Sequence, residues 1–185
     1  MFRSALSVFT FLLVIVSGCQ KEDPIIPNED EVITTLKYTL TPDGGGSPIL
    51  LSFKDLDGDG GNSPVIVNGK LARNSTYSGS LELFNELENP VGNITTEIEE
   101  ENEDHQFFFT VSGGLSLTVS YEDTDGKGKP VGLKTKLSTT NASTGNFKIT
   151  LRHQPNKSAP GVDIGNITNA GGDTDIEVTF TVNVE

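Results

Sequence analysis

A two-residue alternation of apolar and polar side chains, repeated in short runs from residue 36 to the last residues, limits this chain's fold more than any other feature. Leu36, Tyr38 and Leu40 alternate with Lys37 and Thr39. Leu51 with Phe53, Val65 with Val67, and Leu81 with Leu83 continue the pattern. In the second half come Phe107, Phe109 and Val111, then Leu115, Leu117, Val119 and Tyr121. Leu133 and Leu137 are a weaker run, Phe147, Ile149 and Leu151 a clear one, and Ile176, Val178, Phe180, Val182 and Val184 close the chain. Period two sends successive side chains to opposite faces, so each run predicts a strand with one face buried. Asp43-Gly44-Gly45-Gly46 and Gly113-Gly114 supply tight turns between runs. The prediction is an all-β chain of about nine strands.

The two halves look like copies. Leu51-Ser52-Phe53-Lys54-Asp55-Leu56-Asp57-Gly58 aligns with Val119-Ser120-Tyr121-Glu122-Asp123-Thr124-Asp125-Gly126. Gly92-Asn93-Ile94-Thr95 recurs as Gly165-Asn166-Ile167-Thr168, and Phe109-Thr110-Val111 as Phe180-Thr181-Val182. The expected organisation is one domain over residues 32–185, with pseudo-repeats at 32–104 and 105–175 and a closing strand at 176–185. A half of this size is marginal alone, so both should share one core. Leu71 lies six residues before Tyr77, which resembles the tyrosine corner of immunoglobulin-like and fibronectin-like sandwiches. That favours an antiparallel two-sheet sandwich, with a closed antiparallel barrel as the alternative. Thr96-Glu97-Ile98-Glu99 has a capping-box pattern, so residues 95–104 are either a short acidic helix or a solvated loop.

The first residues read as an address. Met1-Phe2-Arg3-Ser4 carries one positive charge, and the mostly apolar run Ala5 to Val16 is too short to cross a bilayer of ~30 Å. Val16-Ser17-Gly18-Cys19 then resembles the lipobox of bacterial lipoproteins. That resemblance implies a signal peptide over 1–18 and a lipidated Cys19 at the mature N-terminus. Residues 19–31 form an acidic tether containing Pro24 and Pro27. Gln20-Lys21-Glu22-Asp23 looks like the surface-export tether of Bacteroidota lipoproteins. The implied location is the outer membrane, on the cell surface, with the periplasmic face as the alternative.

Charge and composition remove several functions. The 26 acidic residues outnumber the 13 basic ones, for a formal charge of −13, which excludes a nucleic-acid partner. One Cys excludes a disulfide framework and a Cys-rich metal site. No Gly-x-Ser-x-Gly elbow or phosphate loop is present. Asp55-x-Asp57-x-Asp59-Gly60 opens like a calcium loop, but position twelve is Ile66 instead of a bidentate Glu. A looser Ca²⁺ site on Asp55, Asp57 and Asp59 remains, beside the simpler reading of a hairpin turn. Asp123-x-Asp125-Gly126, the shorter copy, reads as a turn.

His105 shares parity with Phe107 and Phe109, and His153 with Ile149 and Leu151, so both imidazoles point inward at strand ends. Taken singly, each is a half-buried, hydrogen-bonded histidine. With strands alternating in direction, both histidines, Asp55, Asp123 and the acidic segment lie at one rim, where the tether enters. Two imidazoles beside carboxylates suit a transition metal such as Zn²⁺ or Cu²⁺, and a bis-His pair suits haem.

The stretches Phe53-x-Asp-Leu-Asp-Gly-Asp-Gly, His105-Gln-Phe-Phe-Phe and Leu151-Arg-His resemble a group of Bacteroidota lipoproteins of unknown function. Such sequences carry the label of a type 1 periplasmic-binding fold. That fold alternates long helices with parallel strands, unlike the hairpin signals here. The functional expectation is a non-enzymatic, monomeric lipoprotein displaying a domain that binds a small molecule or a protein. The alternative is a metal- or haem-binding lipoprotein using His105 and His153.

Overall fold

The computed structural model describes residues 31–58 and 60–185. The expected signal peptide, Cys19, the tether before Glu31, and Asp59 lie outside the described residues. Within them the chain forms β1 (Thr35–Pro42), β2 (Ile49–Lys54), β3 (Val65–Val67), β4 (Gly69–Leu71) and β5 (Thr76–Phe84). A helix α1 (Ile94–Glu100) leads into β6 (His105–Ser112), β7 (Leu117–Tyr121), β8 (Lys134–Thr139), β9 (Ser143–His153) and β10 (Asp173–Val184). Two open sheets face each other: β3-β2-β1-β5-β8-β7, and β4-β10-β9-β6. The expected sandwich is the architecture, and the sheets do not close into a barrel.

The inward positions of the alternation make the core. Leu36, Tyr38, Leu40, Leu81, Leu83, Phe107, Phe147, Ile149, Leu151 and Phe180 are all fully buried or nearly so. Phe109 and Phe147 stack between the sheets at 6.0 Å between ring centres, and Tyr38 stacks on both. The Tyr38 hydroxyl shares a 2.6 Å hydrogen bond with Thr135. Gly79 permits that bond, because a Cβ there would collide with both hydroxyl groups. The Tyr77 hydroxyl accepts from the Ala72 backbone N–H at 2.8 Å, the contact expected of a tyrosine corner.

Four details differ from the sequence expectation. The strand expected at Val65 and Val67, β3, pairs with β2 but buries neither face, and an unforeseen strand, β4, follows it and crosses to the other sheet at Asn68. There β4 runs parallel to β10, the one parallel ladder of the described residues. The strand expected from Leu115 starts at Leu117. The acidic segment is a single short helix that buries Ile94 and Ile98; it starts before Thr96, so the capping box is not formed and the N-cap position falls to Asn93, without a side-chain cap bond.

The pseudo-repeat survives in one ladder and fails in another. Thr35 opposes Phe84 in β1·β5, as His105 opposes His153 in β6·β9. Yet β2 pairs with β1, whereas β7 pairs with β8 in the sheet opposite β6. The β9–β10 connection, with 3₁₀ turns at Val162–Ile164 and Ile167–Asn169, folds over the outer face of β6. There Phe108 packs on Val162 and Ala170, so β6 is buried on both faces at this point.

Candidate metal centre

His105 opens β6 and His153 closes β9, and the antiparallel register places them directly opposite each other. Their rings stack at 4.7 Å between centres and 17° between planes. The expected inward parity is what brings them together, and both are buried.

Two carboxylates complete the group. In the β9·β10 ladder Thr174 opposes Arg152 and Ile176 opposes Leu151, so Asp175 is the extra residue of a β-bulge. Simple alternation with Ile176 and Val178 would send Asp175 to the outer face. The bulge re-aims it inward, and its side chain is only 1% exposed. Its Oδ2 lies 3.8 Å from His105 Nε2, and its Oδ1 lies 3.8 Å from His153 Nδ1. Glu31, four residues before β1, places Oε1 2.9 Å from His105 Nε2. One ligand atom from each of Glu31, His105, His153 and Asp175 lies within 4.8 Å of the other three.

The hydrogen-bond pattern at His105 defines what the group can hold. Its Nδ1 lies 3.1 Å from the Glu101 carbonyl oxygen, so Nδ1–H donates there and the neutral ring keeps its lone pair on Nε2. Nε2 faces Glu31 Oε1, and Glu31 Oε2 has no hydrogen-bond partner among the described residues. Burial disfavours both charged forms. The mutual contact outweighs it, holding the Glu31 carboxyl below its ordinary value and His105 above its own, with Asp175 adding to the latter.

These residues fit a divalent transition metal. Two buried carboxylates carry two negative charges, which one divalent cation neutralises while both imidazoles stay neutral. Imidazole nitrogen selects Zn²⁺ or Cu²⁺ over the hard cations that prefer oxygen alone. Tetrahedral ligands at about 2.1 Å from zinc sit about 3.4 Å apart, so the widest pair must close by at most about 1.4 Å. Haem does not fit, because imidazoles stacked on each other leave no slot for a macrocycle.

The other sequence candidates are placed differently. Asp55 Oδ1 accepts from the N–H groups of Asp57 and Gly58, and Asp57 Oδ2 accepts from the backbone and side chain of Asn62. Both carboxylates therefore order their own turn. They lie at the same end as the histidines, with the Asp55 N–H bonded to Thr34, but they do not join a ligand group of the described residues. Asp123 and Asp125 behave alike: Asp123 accepts from Gly132 and Lys134, and Asp125 from Lys127 and Lys129.

Glu31 and Asp175 escaped the sequence reading for different reasons. Glu31 read as the end of a solvated tether, and Asp175 had outward parity. Only the Gly171-Gly172 turn before β10 hints at an irregular start. No family model, curated protein or solved structure matches the chain.

Proposed function

We propose that this protein is a non-enzymatic lipoprotein, anchored in the outer membrane through Cys19 and displayed at the cell surface, whose β-sandwich holds a divalent transition metal. Zn²⁺ is the best match. The convergence of Glu31, His105, His153 and Asp175 in one buried group carries the reading. The site draws one ligand from the segment before β1 and three from the second sheet. A bound ion would tie the start of the domain to β6, β9 and β10. Four protein ligands and deep burial suit a structural metal better than a catalytic one, which needs an open position. The chain has two histidines, and both belong to this group, which supports a non-enzymatic role.

Calorimetric titration with ZnCl₂ and CuCl₂ tests the metal. One ion per chain should bind, and the His105→Ala/His153→Ala variant should lose it. Absence of saturable binding to the wild-type protein would overturn the metal reading. Labelling with an alkyne fatty acid tests the anchor: the label should be lost in Cys19→Ser.

A further inference from the structure

The four residues of the metal group are held unequally. His105, His153 and Asp175 stand on β6, β9 and β10, which are neighbours in one sheet. Backbone ladders fix β9 between the other two. The His105 ring is held further by its Nδ1 contact with the Glu101 carbonyl oxygen. Glu31 has no such frame. It lies outside every strand, and no backbone hydrogen bond among the described residues holds residues 31–33. The first such bond is donated by the Thr34 N–H to the Phe84 carbonyl oxygen, at 3.0 Å. Val32 is 54% exposed, and Ile33 packs on the core only in part. Three ligands are therefore preset by one sheet, and the fourth rides on a short strap.

The strap side also carries negative charge. Glu88 before α1, Glu97 on α1 and Glu101 at its C-cap are all exposed. None of the three forms an ion pair among the described residues. Burial, and then the charges of Glu88, Glu31, Glu101 and Glu100, push the Glu97 carboxyl above its ordinary value. These carboxylates therefore share one field with the ligand Glu31. A field of one sign raises the local concentration of cations and speeds their capture.

We propose that the ion enters and leaves past Glu31. The acids around α1 steer it, His105, His153 and Asp175 capture it, and Glu31 closes over it last. This names the route and regulation of the zinc site, and it rests on that site holding the ion. Preset ligands lose little freedom on binding, whereas ordering the strap offsets part of what Glu31 contributes. Glu31 is therefore the first ligand to let go. With the ion bound, residues 31–33 are clamped to the second sheet. Without it, the contact of Glu31 with His105 is what remains to hold them. The ion thus sets how tightly the start of the domain is fastened.

Stopped-flow mixing of the full chain with ZnCl₂, and of the loaded chain with excess EDTA, reads capture and release. Glu31→Gln should release Zn²⁺ about tenfold faster and capture it at the wild-type rate. Asp175→Asn should slow capture. The Glu88→Gln/Glu97→Gln variant should slow capture at low salt and leave release unchanged, and added salt should erase its difference from the wild type. Hydrogen exchange should show the amides of Val32 and Ile33 protected by Zn²⁺. Unchanged release or slowed capture in Glu31→Gln would overturn the proposal. So would wild-type capture in Asp175→Asn or in the Glu88→Gln/Glu97→Gln variant, or exchange at Val32 and Ile33 that ignores Zn²⁺. Saturable calorimetric binding in the same samples would leave the metal reading standing in each of those cases. Absence of saturable binding would overturn both.

Discussion

Two buried charged groups sit at the same end of the sandwich, and they differ in how completely they satisfy themselves. Lys157 donates to Asp125 Oδ2 at 3.0 Å and to the Asn102 carbonyl at 2.5 Å. Asp125 accepts two further backbone N–H groups, from Lys127 and Lys129. That pair is neutral and self-contained. Glu31, His105, His153 and Asp175 instead leave Glu31 Oε2 without a hydrogen-bond partner among the described residues. The group also holds two carboxylates against two imidazoles that need not both be charged. Burial alone therefore does not mark a functional site. A buried group whose ligand atoms converge is one that could hold a metal ion.

The largest effect that would sharpen this contrast comes from breaking the self-contained pair. Asp125→Ala or Lys157→Ala should each cost about 3–5 kcal/mol, because each leaves one buried charge alone. Chemical denaturation should detect this equally with and without Zn²⁺. The same pair sets an acid limit. Burial opposes the Asp125 charge, but its bonds from Lys129, Lys157 and Lys127 hold its pKa below the ordinary value of 3.8. A carboxylate with a lowered folded pKa stabilises above its unfolded value and loses that contribution as pH falls through the folded one. Acid titration of unfolding should therefore show stability falling below about pH 4, with a shallower slope in Asp125→Asn.

Next in size is the metal effect. Zn²⁺ at 100 times its dissociation constant should stabilise the wild type by about 2.7 kcal/mol, a midpoint rise of roughly 5–10 °C. The His105→Ala/His153→Ala variant should show no rise in a thermal scan. A full rise in that variant would erase the contrast.

Removing one carboxylate charge should matter less. Glu31→Gln and Asp175→Asn should each weaken Zn²⁺ at least tenfold by calorimetry, about 1.4 kcal/mol. The effect should exceed any change caused by Asp55→Asn, whose carboxylate orders a turn. Smallest of all, Lys70→Ala should change stability by under about 0.5 kcal/mol, because its pair with Glu185 is exposed on both sides.

Much of this could be read along the chain. The runs from Leu36 to Val184 named most inward strand residues, with Val65 and Val67 as exposed exceptions, and Tyr77 identified its corner. His105 and His153 were legible as inward-facing strand ends, because parity is a local property. Their direct pairing was not, since register between β6 and β9 depends on how the whole ladder docks. The same limit hid the second burial layer. Phe108 has outward parity, and only the returning loop with Val162 and Ala170 covers it.

What the residue order determined by itself is the strand class, the inward face of most strands and the inward aim of both histidines. These follow from the alternation of side chains along an extended backbone, which needs no partner to define it. The tertiary structure decided the four-membered group. A bulge at Asp175 reversed one parity, and the packing of the two sheets brought Glu31 beside His105 from a distant part of the chain. Both depend on where neighbouring strands sit, and a period-two pattern carries no information about that.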